Sequence, residues 1–182
     1  TQNIGLDVSV NPDFAQLEAD EQVLNLTTFE TFFPEKRPFF LDGMDLFQLP
    51  RMAYFPSGQS LFYTRRIGAV PEAPSTDGSV VGNPKPVTIY GAAKLRGTIG
   101  AGIAGSVLSA VTGRGDVAIE QADGARAEIA AAPVTWFNVV RSRVAMGQQA
   151  QVGVLATATN RFEELDRYPR GPAAEPAMQS CP

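Results

Sequence analysis

Apolar and polar residues alternate along several segments of the chain, a pattern of period two that predicts β-strands with one dry face and one wet face. The first such segment opens the sequence and ends at Asn11-Pro12-Asp13, whose residue types favour a turn. We therefore predict a strand before Asn11. Its dry face carries Ile4, Leu6, Val8 and Val10, and its wet face carries Asn3, Gly5, Asp7 and Ser9.

The rest of the sequence predicts a succession of further strands, several of them long. Strands of about ten residues or more exceed the ~5–6 residues typical of soluble sheets. Short turns at one end and long polar loops at the other are typical of transmembrane barrels. A soluble β-sandwich is the alternative that the pattern alone leaves open. The predicted strands are Ser60–Ile67, Val87–Thr98, Ala101–Thr112, Val134–Met146 and Gln149–Arg161, with a polar loop or small hairpin over Gly113–Ala132.

An acidic and aromatic segment, residues 13–47, follows the first strand. Its apolar spacing predicts a short helix near Glu21–Phe33 that ends at Pro34. The triplet Glu35-Lys36-Arg37 then stands among phenylalanines, and charges beside buried rings must be paired or wetted. We predict a plug-like segment in which Glu35 and Arg37 pair with wall residues such as Arg65, Arg66 or Asp45. The alternative is a gating or ligand-contact element made of Glu35, Lys36, Arg37, Arg65 and Arg66.

The composition argues against several classes of chemistry. The 182 residues include no histidine, which removes a Ser-His-Asp triad and a histidine-ligated zinc site. The single cysteine, Cys181, has no partner for an internal disulfide. Residues 1–50 hold nine acidic residues against two basic ones, in a chain of net charge −4, so nucleic acid is not an expected partner. We expect no cofactor.

Acidic residues offer two candidate chemistries. Paired carboxylates are the machinery of glycoside hydrolases, although spacing in sequence does not fix spacing in the fold. Asp42 and Asp45 are weak candidates for calcium, because no twelve-residue ligand loop surrounds them. A solvated or lumen-facing acidic surface is the simpler reading of these residues. The candidate catalytic carboxylates are Asp13, Glu18, Asp20, Glu30 and Glu35.

A glycine motif offers a third chemistry. Gly100, Gly102 and Gly105 match G-x-G-x-x-G, and Glu120 follows at the distance expected of a ribose-binding acid. A dinucleotide-binding oxidoreductase is thus an alternative. The context argues against it, because the preceding residues are charged and only 106–112 separate Gly105 from Gly113, too few for the required helix. A glycine-rich hairpin is the favoured interpretation.

Several motifs together resemble a large uncharacterised bacterial family, a domain of unknown function. The resemblance covers roughly residues 1–161, and its most specific part is the aromatic segment at 29–41. The motifs are Asn11-Pro12-Asp13-Phe14, Phe29-Glu30, Phe32-Phe33-Pro34-Glu35-Lys36-Arg37-Pro38-Phe39-Phe40-Leu41, Leu61-Phe62-Tyr63-Thr64-Arg65-Arg66-Ile67-Gly68, Gly91-Ala92-Ala93-Lys94-Leu95, Ala110-Val111-Thr112 and the hairpin Asn138–Asn160.

The resemblance implies a fold, a location and partners. In that family an outer-membrane barrel-like region follows a module similar to the family-nine carbohydrate-binding fold, and this chain resembles the start of the barrel region. We expect an all-β antiparallel meander with one short helix, a partial barrel, because closure takes ~8 or more strands. Residues 1–161 would form the barrel part and 162–182 a loop or truncated tail. The implied partners are outer-membrane lipid and, through the other module, carbohydrate or polymer at the cell surface.

Overall fold

The chain folds into antiparallel β-sheets, with very little helix in the part that can be described. The computed structural model describes residues 3–12, 32–43, 62–72, 79–99, 102–121, 123–147 and 150–163. The strands are β1 (Asn3–Val10), β2 (Ser79–Val80), β3 (Ile89–Ile99), β4 (Ile103–Thr112), β5 (Gly115–Glu120), β6 (Arg126–Ala132), β7 (Val134–Met146) and β8 (Ala150–Phe162), and the helical turns are α1 (Pro38–Leu41) and a 3-10 helix (Thr64–Arg66).

Five long strands form the main sheet, in the order β1-β3-β4-β7-β8, with every neighbouring pair antiparallel. The hairpin β5-β6 is inserted between β4 and β7 and forms a small second sheet with β2. The main sheet is therefore a meander interrupted by one hairpin. Neither sheet closes on itself, and β1 and β8 are the edges of the main sheet among the described strands. The predicted all-β antiparallel fold is confirmed.

The strand bounds agree with the sequence pattern in the second half of the chain. The strands β3, β4, β7 and β8 lie within two residues of their predicted positions, and the interval Gly113–Ala132 contains the small hairpin β5-β6. The predicted helix near Glu21–Phe33 falls mostly outside the described residues. A separate helical turn, α1, begins at Pro38, where proline suits the first helical turn. No helix in the described part of the chain is long and apolar enough to span a membrane.

The predicted strand over Ser60–Ile67 is wrong where the structure describes it. Residues Thr64–Arg66 form a 3-10 helix, because the Ile67 N–H donates to the Thr64 carbonyl (2.9 Å) and closes a turn. The Thr64 and Arg65 side chains bond to residues 34–35 and not to a neighbouring strand. Alternation alone did not reveal these long-range partners.

The register gives the main sheet two chemically different faces. Leu6, Leu95, Val107, Val140 and Ala156 lie side by side across the five strands on one side, which we call the apolar face. The next residues along each strand point the other way, onto what we call the charged face. That row reads Asp7, Lys94, Leu108, Val139 and Thr157.

The hydrophobic core lies on the charged face, beneath the segments 32–43 and 62–67. Its sheet side is contributed by the apolar residues of that face, and Phe40 and Ile67 close it from above. A β-bulge between Ile89 and Gly91 shifts the alternation of β3. Ile89 is therefore buried in this core, whereas Leu95 is exposed on the apolar face, although a strand of uniform alternation would place both positions on the same side. The core residues are Phe40, Ile67, Ile89, Ala92, Leu108, Ala110 and Val139.

Candidate functional site

Glu35 and Arg37 form a buried ion pair within the segment that covers the charged face. Arg37 donates from Nε to Glu35 Oε1 (2.8 Å) and from Nη2 to Glu35 Oε2 (2.7 Å), a bidentate geometry. Only 2% of the Glu35 side chain is exposed. The carboxylate also accepts hydrogen bonds from the backbone N–H groups of Lys36 and Arg37 and from the Thr64 hydroxyl (2.6 Å). These donors compensate for the cost of burying a charge.

The other donors of Arg37 tie two distant stretches of chain together. Nη1 donates to the Ile67 carbonyl (2.6 Å) and Nη2 to the Thr64 carbonyl (2.8 Å). The guanidinium carbon also lies 4.2 Å from the centre of the Phe40 ring, within the range of a cation–π contact. Arg37 thus connects the 3-10 helix to the hydrophobic core.

A second group of contacts extends this connection towards residue 32. The Tyr63 hydroxyl accepts a hydrogen bond from the Phe33 N–H (2.9 Å), and its ring meets the Phe32 ring edge-on, with centroids 5.0 Å apart. Arg65 Nη1 donates to the Pro34 carbonyl (3.0 Å). Residues 32–37 and 62–67 therefore form one hydrogen-bonded unit, which we call the clasp.

The clasp stabilises the charged form of Glu35. Burial acts to raise the pKa of Glu35, but the hydrogen bonds from Arg37 and Thr64, together with the Arg37 charge, outweigh it and hold the pKa below its ordinary value of 4.5. A general acid requires the opposite shift. The geometry therefore favours a structural role for Glu35 in joining the two halves of the clasp.

We expect the protein to lose stability in acid through Glu35. Because the folded pKa is depressed, the contribution of this carboxylate is fully present above the unfolded value near 4.5 and is lost as the pH falls through the lower folded pKa. Denaturant unfolding of the wild type and Glu35→Gln between pH 7 and pH 3 measures this. The wild type is expected to be the more stable at pH 7, and the difference is expected to shrink below pH 4.5. A constant difference would contradict the assignment.

Lys94 joins the charged face of the sheet to the end of the covering segment. Its side chain is 3% exposed. Lys94 Nζ donates to the carbonyls of Phe39 (2.7 Å) and Asp42 (2.5 Å) and lies 5.0 Å from the centre of the Phe39 ring. The Asp42 carboxylate (3.6 Å) and the Asp7 carboxylate (3.9 Å) lie close to the ammonium group. A buried cation is thus compensated by two carbonyls and two acids.

Arg96 lies two residues beyond Lys94 on β3 and binds the same covering segment through Asp42. Its Nη1 donates to Asp42 Oδ1 at 2.6 Å, and Nη2 lies 2.6 Å from Asp42 Oδ2. The hydrogen bond from Arg96 holds the pKa of Asp42 below its usual range, and the Lys94 charge acts in the same direction. This carboxylate is therefore occupied by cations, an environment that repels a metal ion. Asp45, the other calcium candidate, lies outside the described residues.

Several predicted site residues can be located and others cannot. Asp13, Glu18, Asp20 and Glu30 lie outside the described residues, so their catalytic assignment stays a prediction. Glu35 pairs with Arg37 of its own segment, and not with Arg65 or Arg66 as predicted, because two residues of separation already bring the guanidinium onto the carboxylate. The predicted pairing with Asp45 lies outside the described residues. Lys36 is half-buried and Arg66 is exposed. Within the described ranges, no group of three or more acidic, cysteine or histidine side chains is placed to hold a metal ion.

Lys94 and Arg96 were not predicted from the sequence as part of the site. Both residues occupy polar positions of an alternating strand, and this pattern could have marked them. The pattern did not reveal which segment of the chain they bind. Thr64 was missed for a different reason, because its stretch was assigned to a strand. Asp7, which is opposite Lys94 in the register, also occupies a polar position of an alternating strand.

The dinucleotide-binding interpretation is wrong. Gly105 lies within β4, paired with Gly97 and Ser142, and a strand stands where the nucleotide motif requires a helix. Gly102 adopts a φ of +124° in the turn that leads into β4. Glu120 belongs to β5 in the small sheet and pairs with Arg126 at the surface. Gly100 lies outside the described residues. Gly102 and Gly105 thus serve a hairpin and close strand pairing, as the favoured interpretation predicted.

The apolar face carries exposed hydrophobic side chains on all five strands, and nothing in the described part of the chain covers it. By the register, the charged residues of the five strands all fall on the charged face: Asp7, Lys94, Arg96, Arg141, Arg143 and Arg161. The exposed large hydrophobic residues of the apolar face are Ile4, Leu6, Val8, Val10, Leu95, Ile103, Val107, Trp136, Val140, Val144, Met146, Val152, Val154 and Phe162.

Comparison with known proteins places this architecture in a family. The family described as "Domain of unknown function (DUF5916)" matches residues 1–167, which include both halves of the clasp and all strands of both sheets. The chain belongs to the DUF5916 family. The match ends beyond β8, so the hairpin β7-β8 is part of the family domain. No curated protein and no solved structure matches the chain.

The DUF5916 assignment bears out the family-level part of the predicted resemblance. A family of unknown function was expected over roughly residues 1–161, and the observed match is six residues longer. The carbohydrate-binding-like module and the outer-membrane context that the resemblance implies stay predictions. For this DUF5916 domain, the features that bear on function are the apolar face and the charged face of the main sheet.

Proposed function

We propose that the main sheet forms part of the wall of a bacterial outer-membrane β-barrel, with its apolar face against lipid and its charged face towards the lumen. The observation that carries this proposal is the segregation of charge across the sheet. Among the described strands of the main sheet, the apolar face holds no charged side chain, whereas one acidic and five basic residues lie on the opposite face. Soluble antiparallel sheets show the reverse pattern, with polar side chains on the face that is left open.

Three polar side chains on the apolar face bond to one another, which suits an environment without water. Trp136 Nε1 donates to Ser109 Oγ (2.8 Å), and Ser109 Oγ donates to Asn138 Oδ1 (3.1 Å). In hydrocarbon an unsatisfied polar group costs several kcal/mol. A chain of three hydrogen-bonded side chains on the exposed surface of a sheet therefore supports contact with lipid.

Aromatic residues collect at one end of the sheet. Trp136 near the start of β7, Phe162 at the end of β8 and Tyr90 at the start of β3 are all exposed. The register brings these positions to the same end of the sheet, since Val111 near the end of β4 pairs with both Gly91 and Trp136. Transmembrane barrels carry aromatic girdles where strands leave the hydrocarbon. We place the membrane–water interface at this end.

The strand lengths fit a bilayer. The strands β3, β4, β7 and β8 contain 11, 10, 13 and 13 residues. A tilted strand crosses the hydrocarbon with about 9–11 residues. The soluble β-sandwich would instead bury this face beneath a second sheet, but the small sheet β2-β5-β6 contributes only short strands and a separate core around Val117 and Ile119.

Placing a lysine on the apolar face tests the proposal directly. In Val140→Lys the new charge would stand at the centre of the face, and we expect a loss of about 2–4 kcal/mol of stability in lipid, because a cation there must leave water. The full-length protein should fractionate with outer membranes, and the variant should fold into lipid vesicles with a lower yield and unfold at lower denaturant concentration.

Val70→Lys is the matched control. Val70 is 49% exposed against 47% for Val140, but it lies outside the strands. The control should behave like the wild type. If the apolar face met water, Val140→Lys would change stability by no more than about 0.5 kcal/mol and the wild type would stay in the soluble fraction. That result would overturn the proposal. For the whole protein, the resemblance described above supports a further proposal, a role in carbohydrate or polymer handling at the cell surface.

A further inference from the structure

Two arginines stand together on the charged face, and none of the described acidic residues pairs with them. Arg141 and Arg143 are two residues apart on β7, so their Cα atoms are separated by about 7 Å along the strand and both side chains point the same way. Neither makes an ion pair with any described residue. The acids of the covering segment and of β1, Asp42 and Asp7, lie instead against Lys94 and Arg96. This part of the face therefore carries positive charge that the described residues do not neutralise.

A buried hydroxyl without a partner lies beside these arginines. Ser106 on β4 is directly opposite Arg141 in the register and is 3% exposed. Among the residues that the structure describes, its Oγ has no hydrogen-bond partner, and neither has the buried Nε of Arg141. Buried polar atoms are nearly always paired, so two unpaired donors on adjacent strands indicate a position where an acceptor belongs.

The neighbouring strand makes room for the Arg141 side chain itself. Gly153 on β8 is the register partner of Arg143, and a Cβ atom at this position would lie 3.2 Å from Arg141 Nη2. The Arg141 guanidinium thus extends over the surface that the glycine leaves bare. Beyond it, the strand β8 is exposed along almost its whole length, so this side of the site is open to solutes.

We propose that Ser106, Arg141 and Arg143 bind a small oxyanion. The guanidinium groups present paired N–H donors that match the oxygens of a phosphate, a sulfate or a carboxylate, and the serine hydroxyl supplies one more donor. A bound oxyanion would satisfy both unpaired atoms and neutralise the charge of the arginines. The site lies on the opposite face from the one assigned to lipid, so it stands or falls independently of the proposed function.

Titration with inorganic phosphate tests the site. Calorimetry on the full-length protein in a maltoside detergent, which contains no phosphate, should give saturable binding at constant ionic strength. Arg141→Gln should weaken the phosphate affinity about tenfold to a hundredfold, because it removes charge-assisted hydrogen bonds. Ser106→Ala should weaken it about threefold to tenfold, because it removes one neutral donor. Acetate should bind more weakly at the same site, since it offers two oxygens.

Arg126→Gln is the matched control, because Arg126 is exposed on the small sheet and paired with Glu120. Its phosphate affinity should equal that of the wild type. Circular dichroism identifies any variant that does not fold. If Arg141→Gln does not fold, the smaller change Ser106→Ala still decides the test. The inference is overturned if the wild type shows no saturable phosphate binding, or if all three variants bind alike, which would indicate diffuse attraction to surface charge.

Discussion

Replacing Arg37 with methionine is expected to lower the free energy of unfolding by about 3–5 kcal/mol, because the change leaves the Glu35 carboxylate buried without its ion-pair partner. It also removes the donors to the Thr64 and Ile67 carbonyls, so the two halves of the clasp lose their shared hydrogen bonds. Denaturant unfolding in detergent measures the loss, with Trp136, the one tryptophan of the chain, as the fluorescent probe.

Two further variants separate a buried charge from a general loss of arginine. Arg126→Met removes an arginine whose ion pair is exposed, and we expect a change of about 1 kcal/mol or less. In the double variant Glu35→Gln, Arg37→Met no carboxylate is left unpaired, so it should be more stable than Arg37→Met alone. An Arg37→Met protein as stable as Arg126→Met would show that the clasp does not hold the covering segment.

Gly68→Ala is expected to destabilise the fold by about 2–5 kcal/mol, the second large effect. Gly68 has a φ of +73°, which costs an L-residue about 1–2 kcal/mol. The added Cβ would also lie 2.9 Å from Ile89 Cγ1 and 3.0 Å from the Val87 carbonyl oxygen. Ile89 belongs to the core and the carbonyl is backbone, so relieving the contact adds about 1–3 kcal/mol.

Gly82→Ala isolates the conformational part of this cost. Gly82 has a φ of +79°, but no atom of the described residues lies within 4 Å of the position of its Cβ. We expect a loss of about 1–2 kcal/mol there, from the backbone alone. Equal unfolding midpoints for the two variants would mean that Gly68 does not pack closely against Ile89.

The positions of the strands could be predicted because period-two alternation is a local property. β7 and β8 appear at the predicted positions, since consecutive side chains of any extended strand point to opposite sides. The predicted side of the sheet is wrong for residues where the backbone departs from this strict alternation. The bulge between Ile89 and Gly91 inserts one residue, so Ile89 and Leu95 face opposite sides although the sequence pattern puts them together.

The candidate site could be predicted only in part. The triplet Glu35-Lys36-Arg37 stood out because charges among aromatic residues need partners, but the sequence did not reveal which partners they find. Thr64 reaches Glu35 across 29 residues of sequence, and Lys94 reaches the Asp42 carbonyl across 52. Such contacts depend on the path of the chain between the partners, which no local pattern encodes.

By itself the sequence determined that the chain is all-β, that its strands have one apolar and one polar side, and that it lacks the residues of several catalytic sites, because each of these follows from residue type and short-range spacing. Only the tertiary structure decided that the polar side is the covered one and that none of the described segments covers the apolar side. It also decided that Ser106 and two arginines meet on adjacent strands. These outcomes depend on strand register and on the packing of residues 32–43 against the sheet, which are properties of distant parts of the chain brought together.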